Sequence, residues 1–394
     1  MLSIGPVELP HEAVDLPNDA VKRSRDAAEL SRDAASLGVD DLVRALSEGD
    51  PRFDLTTPSV LRSGLARVDG SPLVGRAGEV RLLRAAGYSG LPFGRLYEGH
   101  VNALQLIARC GTAAQRYAAA RDVERGRLFG VWNTEPADGV RVASSDASGL
   151  RLAGRKTFCS GAGRVGGALI TAKSGAAGRS GPNLANGANG MQMAVVDMER
   201  EQPPIERAFW QPMGMEDSDS YAVDFTGVLV RPDEMLGVPG DYERAPWFGA
   251  GAARFVAVQT GGVERIVDEY AAWLREGERS GDPLAVARLG SCAVAARTAH
   301  AWTQECAAAW EAYDRGAVAE DELAVTVDAA RVAVERAALD VAEAVERGVG
   351  ARGLLEPAPF SHLLCDLRMY LRQPAPDQAL MRVARSLLDR SPAR

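Results

Sequence analysis

Apolar positions along the chain change period twice. Between residues 80 and 126 they recur every three to four residues, in GEVRLLRAAGYSG, EGHVNALQLIARCG and TAAQRYAAARDVERG, the spacing that lines one face of a helix. Gly111 ends the second of these helices and Thr112 caps the third, since a threonine hydroxyl can accept from the open N–H groups of a first turn. At Arg127 the character changes. RLFGVWNT, LRLAGRKTF, ALITAK, MQMAVVDM and YAVDFTGVLV are short, rich in β-formers and set off by PADG, SDASG and RPDE, which predicts strands joined by turns. Past Pro246 an Ala-rich helical spacing returns over 250–279, 283–315, 319–348, 360–371 and 376–390, the pattern of an antiparallel bundle. Residues before 80 mix helical patches (DAVKRSRDAAELSRDAASL, DDLVRALSEG) with a looser run through Pro51, Pro58 and Pro72.

The order is helix, strand, helix, an α+β chain with three expected units: an N-terminal helical domain (1–126), a central antiparallel β-domain (127–238) and a C-terminal four-helix bundle (239–394). No helical pattern separates the strands, so a doubly wound nucleotide-binding sheet is not expected. The stretch SGAAGRSGPNLANGANG has little to bury and predicts a flexible surface loop.

Composition narrows the function classes. At 394 residues the chain has room for two or three domains. With 46% hydrophobic and 25% charged residues it can build a core. A net charge of −8, from 45 basic and 53 acidic residues, argues against nucleic acid as a partner. No apolar run reaches the ~18 residues of a membrane span, and the start has no basic segment leading into an apolar one. Five cysteines without CxxC spacing fit a reducing cytoplasm, and the four histidines lie too far apart in sequence to suggest a metal site. Gly348–Gly353 spells GxGxxG but follows a helix, so it fails the context of a dinucleotide loop.

Several segments, in order, carry a stronger signal: FGVWNTEP (Phe129–Pro136), GRKTFCSGAG (Gly154–Gly163), WQPMGMEDSDSYAVDFTGVLVRPDEMLG (Trp210–Gly237), a helix starting near Arg254, and VGARGL (Val349–Leu354) followed by SHLLCDLRMYLRQPAPDQAL. Together, over residues 80–394, they resemble the acyl-CoA dehydrogenase superfamily, FAD enzymes that are commonly dimers of dimers. The resemblance implies FAD as cofactor, with Thr134 and the backbone near Val131 and Asn133 on the flavin pyrimidine, Phe158 flanking the isoalloxazine, Ser160 bonding near N5, and Gln378 touching FAD. It places Arg254 beside the flavin on the substrate side. Arg279, one long helix later, would serve a partner subunit's FAD, although the Phe-Gly that the family has after it is missing. Trp210–Gly237 is expected to carry fold information and little chemistry. Glu98 falls where the family closes its acyl pocket. His100 lies two residues on, about 200° around the helix, so Glu98 and His100 cannot both face one pocket, and either could be a polar substrate contact.

The chain departs from the family where the catalytic base belongs. The glutamate of the family's YEGT is replaced by Pro374, and the other known base position holds Ala253; neither can take an α-proton. Asp377, the nearest carboxylate, is either a displaced base or the cap of the helix after Pro376. Val140 stands where the family often has the serine that holds a CoA arm. Three readings stay open. One is an FAD-dependent acyl-CoA dehydrogenase-like oxidoreductase acting on a small molecule, an acyl-CoA thioester among the candidates. Another is a flavin-dependent oxidase or monooxygenase, which needs no such base. The third is a non-catalytic subunit of a hetero-oligomer. For an active chain the expected assembly is a homodimer or homotetramer.

Overall fold

The computed structural model describes residues 38–51, 53–173, 190–372 and 376–389. The early helical patch (19–37), nearly all of the Gly/Ala/Ser/Asn stretch, and residues 373–375 with Pro374 lie outside the described residues. Among the described residues, five helices precede the first strand: α1 (Val39–Ser47), α2 (Pro58–Arg62), α3 (Gly75–Ser89), α4 (Leu91–Cys110) and α5 (Ala113–Glu124). Thr112 caps α5 as expected. Its hydroxyl accepts from the Gln115 N–H at 3.2 Å, and the Gln115 side chain accepts from the Thr112 N–H at 2.8 Å.

The strands are β1 (Phe129–Trp132), β2 (Arg141–Asp146), β3 (Gly149–Ala153), β4 (Arg155–Cys159), β5 (Gly167–Lys173), β6 (Met191–Asp197), β7 (Ile205–Glu206), β8 (Tyr221–Asp224), β9 (Leu229–Val230) and β10 (Met235–Leu236). The larger sheet runs β10-β6-β5-β2-β3-β9 with β1 beside β5, and β4-β8-β7 form a second sheet. The expectation of a purely antiparallel domain is corrected here: β1 pairs with β5 in parallel, Phe129 opposite Gly167, and β2 meets β5 in parallel too. Three strands intervene between β1 and β5, so the chain returns to β1 running the same way. Strand β2 escaped the sequence because its pattern is polar, with only Val142 buried. LRLAGRKTF is two strands in different sheets. Gly154 breaks it at φ +108, with Asp138 O and Gly139 O each 2.5 Å from where a Cβ would sit.

A short helix, α6 (Met198–Glu201), lies between β6 and β7, and after the strands come α7 (Trp247–Ala250), α8 (Ala253–Glu276), α9 (Pro283–Asp314), α10 (Glu320–Gly353), α11 (Phe360–Tyr370) and α12 (Pro376–Leu388). α10 continues through the GxGxxG look-alike with a break at Gly350, so that stretch forms the end of a helix and no phosphate loop. The N-terminal helices dock on the bundle at close range. A Cβ on Gly87 would lie 2.0 Å from Val258 O, and one on Gly261 1.9 Å from Arg84 O, which lets α3 pack directly on α8. The buried core runs continuously from α1 through the sheets to α11.

Candidate active site

A cavity of about 850 Å³ opens where α4, the ends of β1 and β4, the α7–α8 entry, α10 and the α11–α12 region meet. One wall is a polar stripe on α4. Arg95, Glu98, Asn102, Gln105 and Arg109 are spaced three, four, three and four residues apart, hence on one face of a helix that is otherwise mostly apolar and buried. The buried Glu98 carboxylate lies 2.5 Å from Arg95 Nη1 and 3.4 Å from Arg254 Nε. Arg254 also donates to Asn102 Oδ1 at 2.7 Å and to Gln105 Oε1 at 3.1 Å. The chain of contacts runs on: the Gln105 amide donates to Glu79, Glu79 pairs with Arg76, and Arg76 reaches Asp314 at 2.8 Å and lies over the Trp310 ring. Tyr242 and Tyr370 also line the cavity. Burial, reinforced by the negative charge of Glu98, pushes both phenols up, Tyr242 to about 12. The buried Tyr370 hydroxyl has no hydrogen-bond partner among the described residues.

The facing wall comes from the strands. Trp132 Nε1 donates to Ser160 O at 3.0 Å. Ser160, Ser220 and Ser218 form a chain of buried hydroxyls, each link 2.8 Å. Phe158 takes a left-handed backbone (φ +53), which costs about 1–3 kcal/mol for a bulky residue. Its ring stays 46% exposed at the cavity, edge-on to Phe209 and Trp210. Behind this wall the fully buried Lys156 ammonium donates to Thr171 Oγ1 at 3.0 Å and Asn133 O at 3.3 Å, with Glu135 at 3.6 Å. Burial lowers its pKa against the pull of Glu135. The Thr171 hydroxyl in turn donates to Asn133 Oδ1 at 2.5 Å, so the amide N–H groups are what Asn133 can offer the cavity.

Trp210–Gly237, expected to be chemically quiet, supplies Trp210, Met215, Ser218 and Ser220 to the lining, which corrects that expectation. The segment is fastened to α11: the Met215 N–H donates to Asp366 Oδ1 at 2.5 Å, and burial raises the pKa of that carboxyl. Gly214 presses on the Cys365 backbone, 2.3 Å from a would-be Cβ. At the far end Asp328 accepts from Arg382 Nε at 2.6 Å and Nη2 at 2.7 Å, and from Arg331 at 3.5 Å.

Eight residues singled out from the sequence meet in this one cavity: Glu98, Val131, Asn133, Thr134, Phe158, Ser160, Arg254 and Gln378. Three do not. His100 is fully buried, with Nδ1 accepting from the Phe129 N–H at 3.1 Å and Nε2 donating to Leu61 O at 3.0 Å. Burial drops its pKa to about 4. Both nitrogens are used, so the substrate contact suggested for His100 is corrected to a tie between α4, α2 and β1. Arg279 lies just past α8 and donates to Gly348 O and Asp282, which fixes the α8–α9 turn against α10. Asp377 is exposed in the first turn of α12, which begins at Pro376. It does not line the cavity. Sequence reasoning passed over Tyr370 as a site residue, and also Arg109, Trp247 and the two extra serines. The recoverable signal was the charged stripe at helical spacing on α4. Val140, at the position considered for a CoA contact, is fully buried. Among the described residues no cluster of His, Cys, Asp and Glu could hold a metal, and no helix is long and apolar enough to cross a membrane.

No family profile matches the chain. It is 27% identical over 184 residues to a dibenzothiophene monooxygenase from Mycolicibacterium goodii, a stretch covering 41% of this chain and 44% of that protein. The chain thus matches under half the length of that curated relative. Among solved structures, FMN-bound TdsC from Paenibacillus sp. A11-2 superposes with a TM-score of 0.72 at 20% identity, over 94% of this chain and 98% of TdsC. The FAD complex of PigA superposes with 0.64 at 13%, over 96% and 99%. The fold, with helices, a central mixed-sheet region and helices again, is acyl-CoA dehydrogenase-like.

Proposed function

We propose that this chain is a flavin-dependent monooxygenase that holds flavin and organic substrate together in the cavity described. The observation that carries the reading is the state of the cavity's carboxylates. Glu98 is clamped by Arg95 and Arg254, and Asp328 by Arg382 and Arg331, so neither is a free base for the α-proton abstraction of a dehydrogenase. The similarity of part of the chain to a dibenzothiophene monooxygenase supports the same choice. FMN in TdsC and FAD in PigA support a flavin and widen the expected FAD to either form.

The residues present fit a flat heterocycle. Phe158, Trp210, the Asn133 amide and the Ser160–Ser220–Ser218 hydroxyls offer a ring-sized apolar face bordered by donors and acceptors. Bound there in reduced form, a flavin would supply the two electrons that, with two protons, let dioxygen give one oxygen atom to the substrate and leave the other as water. Tyr370, kept protonated by its burial, lines the cavity with a hydroxyl that has no partner among the described residues and could donate a hydrogen bond to a bound oxygen atom. The exposed Leu284, Val286 and Val294 of α9 are where a second copy would cover apolar surface in the proposed homodimer or homotetramer.

The test is reconstitution with FMN and with FAD, read by absorbance and stoichiometry. Oxygen consumption with reduced flavin and transfer of ¹⁸O from dioxygen to product would follow. A chain that takes up neither flavin overturns the proposal. Anaerobic bleaching of bound oxidised flavin by a saturated acyl-CoA would return the reading to a dehydrogenase.

A further inference from the structure

Charge in the cavity does not balance. Six arginines line it: Arg95, Arg109, Arg254, Arg331, Arg372 and Arg382. Five have carboxylate partners: Arg95 and Arg254 share Glu98, Arg331 and Arg382 share Asp328, and Arg372 meets Glu335. Arg109 has none among the described residues. The carboxylate that most attracts it, Asp241, is already held by Arg244 and by the Val238 N–H. Arg109 Nη2 is buried without a hydrogen-bond partner, and the guanidinium lies 4.3 Å from the Trp247 ring centre. Burial weighs most against the Arg109 charge and Arg254 adds to it, while the neighbouring Cys110 sulfur and Asp241 offset only part of that. A guanidinium stacked on an indole keeps its in-plane N–H edge for an oxyanion.

From this we infer that the substrate of the proposed monooxygenase carries an anionic oxyacid group, a carboxylate or sulfonate, that docks on Arg109 against Trp247. This rests on the reading above and names the substrate class for the same cavity. Arg109 is 11 residues from Glu98, about 16 Å along α4, and Leu106, Ala252 and Phe248 line the cavity with them. The fitting molecule is an elongated one, apolar in the middle and anionic at one end. An uncharged fused-ring sulfide would leave Arg109 desolvated and unpaired.

The phosphate of a flavin has the same chemistry, so the experiment separates the two sources. Full-length protein, flavin-free and flavin-loaded, is titrated calorimetrically with 4-phenylbutyrate and with its neutral amide. The flavin-loaded chain is expected to bind the anion about tenfold or more tightly than the amide, the worth of one charge-assisted hydrogen bond. Arg109→Met, which keeps the apolar stem, removes that preference and leaves amide binding unchanged, and Arg109→Lys retains part of it. If Arg109→Met does not fold, Trp247→Leu, which removes the stacking wall, is expected to weaken the preference. Equal affinities, no binding of either probe, or a preference untouched by these variants overturn the inference. A preference seen only without flavin overturns it too, assigning Arg109 to the cofactor phosphate. Flavin uptake is read separately by absorbance: no uptake with an Arg109-dependent anion preference sinks the flavin reading and leaves the anion site standing.

Discussion

α4 turns two polar faces to the interior, and they are completed in different ways. On one, His100 spends both ring nitrogens on backbone groups, Leu61 O and the Phe129 N–H, and sees no solvent. On the other, Glu98, Asn102, Gln105 and Arg109 line a cavity, and two groups of that lining keep bonding capacity left over among the described residues: Arg109 Nη2 and the Tyr370 hydroxyl. Both faces are buried and both are polar. A polar side chain closed entirely within the chain is scaffold, whereas one left open toward a cavity marks where a ligand completes the bonding.

The largest effect is expected from breaking the open face at its charged centre. Glu98→Leu leaves Arg95 and Arg254 together in a buried site without their carboxylate, and losing one partner of a buried pair costs about 3–5 kcal/mol. Urea unfolding checks this; a loss under 1 kcal/mol would mean that water or another acid already compensates the arginines.

The closed face predicts a pH dependence instead. His100 has a pKa of about 4 when folded and 6.5 when free. Between those values the unfolded chain takes up a proton that the native one refuses. The stability held by a neutral His100 is complete above pH 6.5 and drains away as pH falls toward 4, by about 3 kcal/mol. His100→Gln is expected to be less stable than the wild type at pH 7 and to lose less between pH 6.5 and 4. Parallel stability profiles for the two proteins would show that His100 is not the titrating group.

A third break lies behind the strand wall. Thr171→Val removes the hydroxyl that orients Asn133 and accepts from Lys156. About 1–2 kcal/mol of stability should go. The affinity for reconstituted flavin should weaken severalfold, because the Asn133 amide loses its fixed direction; Asn133→Ala in the same background should then add little. Independent, additive losses would separate the two residues.

The contrast between the two faces also explains what the sequence could reveal. Helical periods and β-rich runs carried the element order, because each depends on neighbours within one turn or one strand. Sheet membership was less legible. LRLAGRKTF alternates like one strand, and only the contact of Gly154 with Asp138 and Gly139 shows that it crosses between sheets. Strand β2 is polar and declares itself only through its pairing with β3. Segments with a family pattern, such as Asn133–Thr134 and Phe158–Ser160, landed in the cavity because strand ends fix their positions. Glu98 and His100 could be told apart only as not sharing a face. Which of them opened on the cavity depended on Leu61 and Phe129, 39 and 29 residues from His100 in the chain. Arg109 was invisible for a related reason: its significance is the lack of a carboxylate partner among the described residues, and that requires knowing that Asp241 already pairs with Arg244.

The smallest effect tests the comparison from outside, just beyond the end of α4. Thr112 is exposed and its bonds close locally on Gln115. Thr112→Ala should cost about 1 kcal/mol, the ordinary worth of an N-cap. Flavin uptake and anion preference should not change, since nothing it holds reaches the cavity. Gln115→Ala should cost more, because its amide also donates to Asp233 O at 2.8 Å and Met235 O at 2.7 Å, tying α5 to the edge strand β10. If Thr112→Ala altered ligand binding, the end of α4 would have to move when α5 frays. Arg109, three residues away, would then be held in place by the cap as well as by Trp247, and the boundary drawn between closed and open groups would fail at that point. Thermal unfolding alongside the calorimetric titration of the same variant decides it.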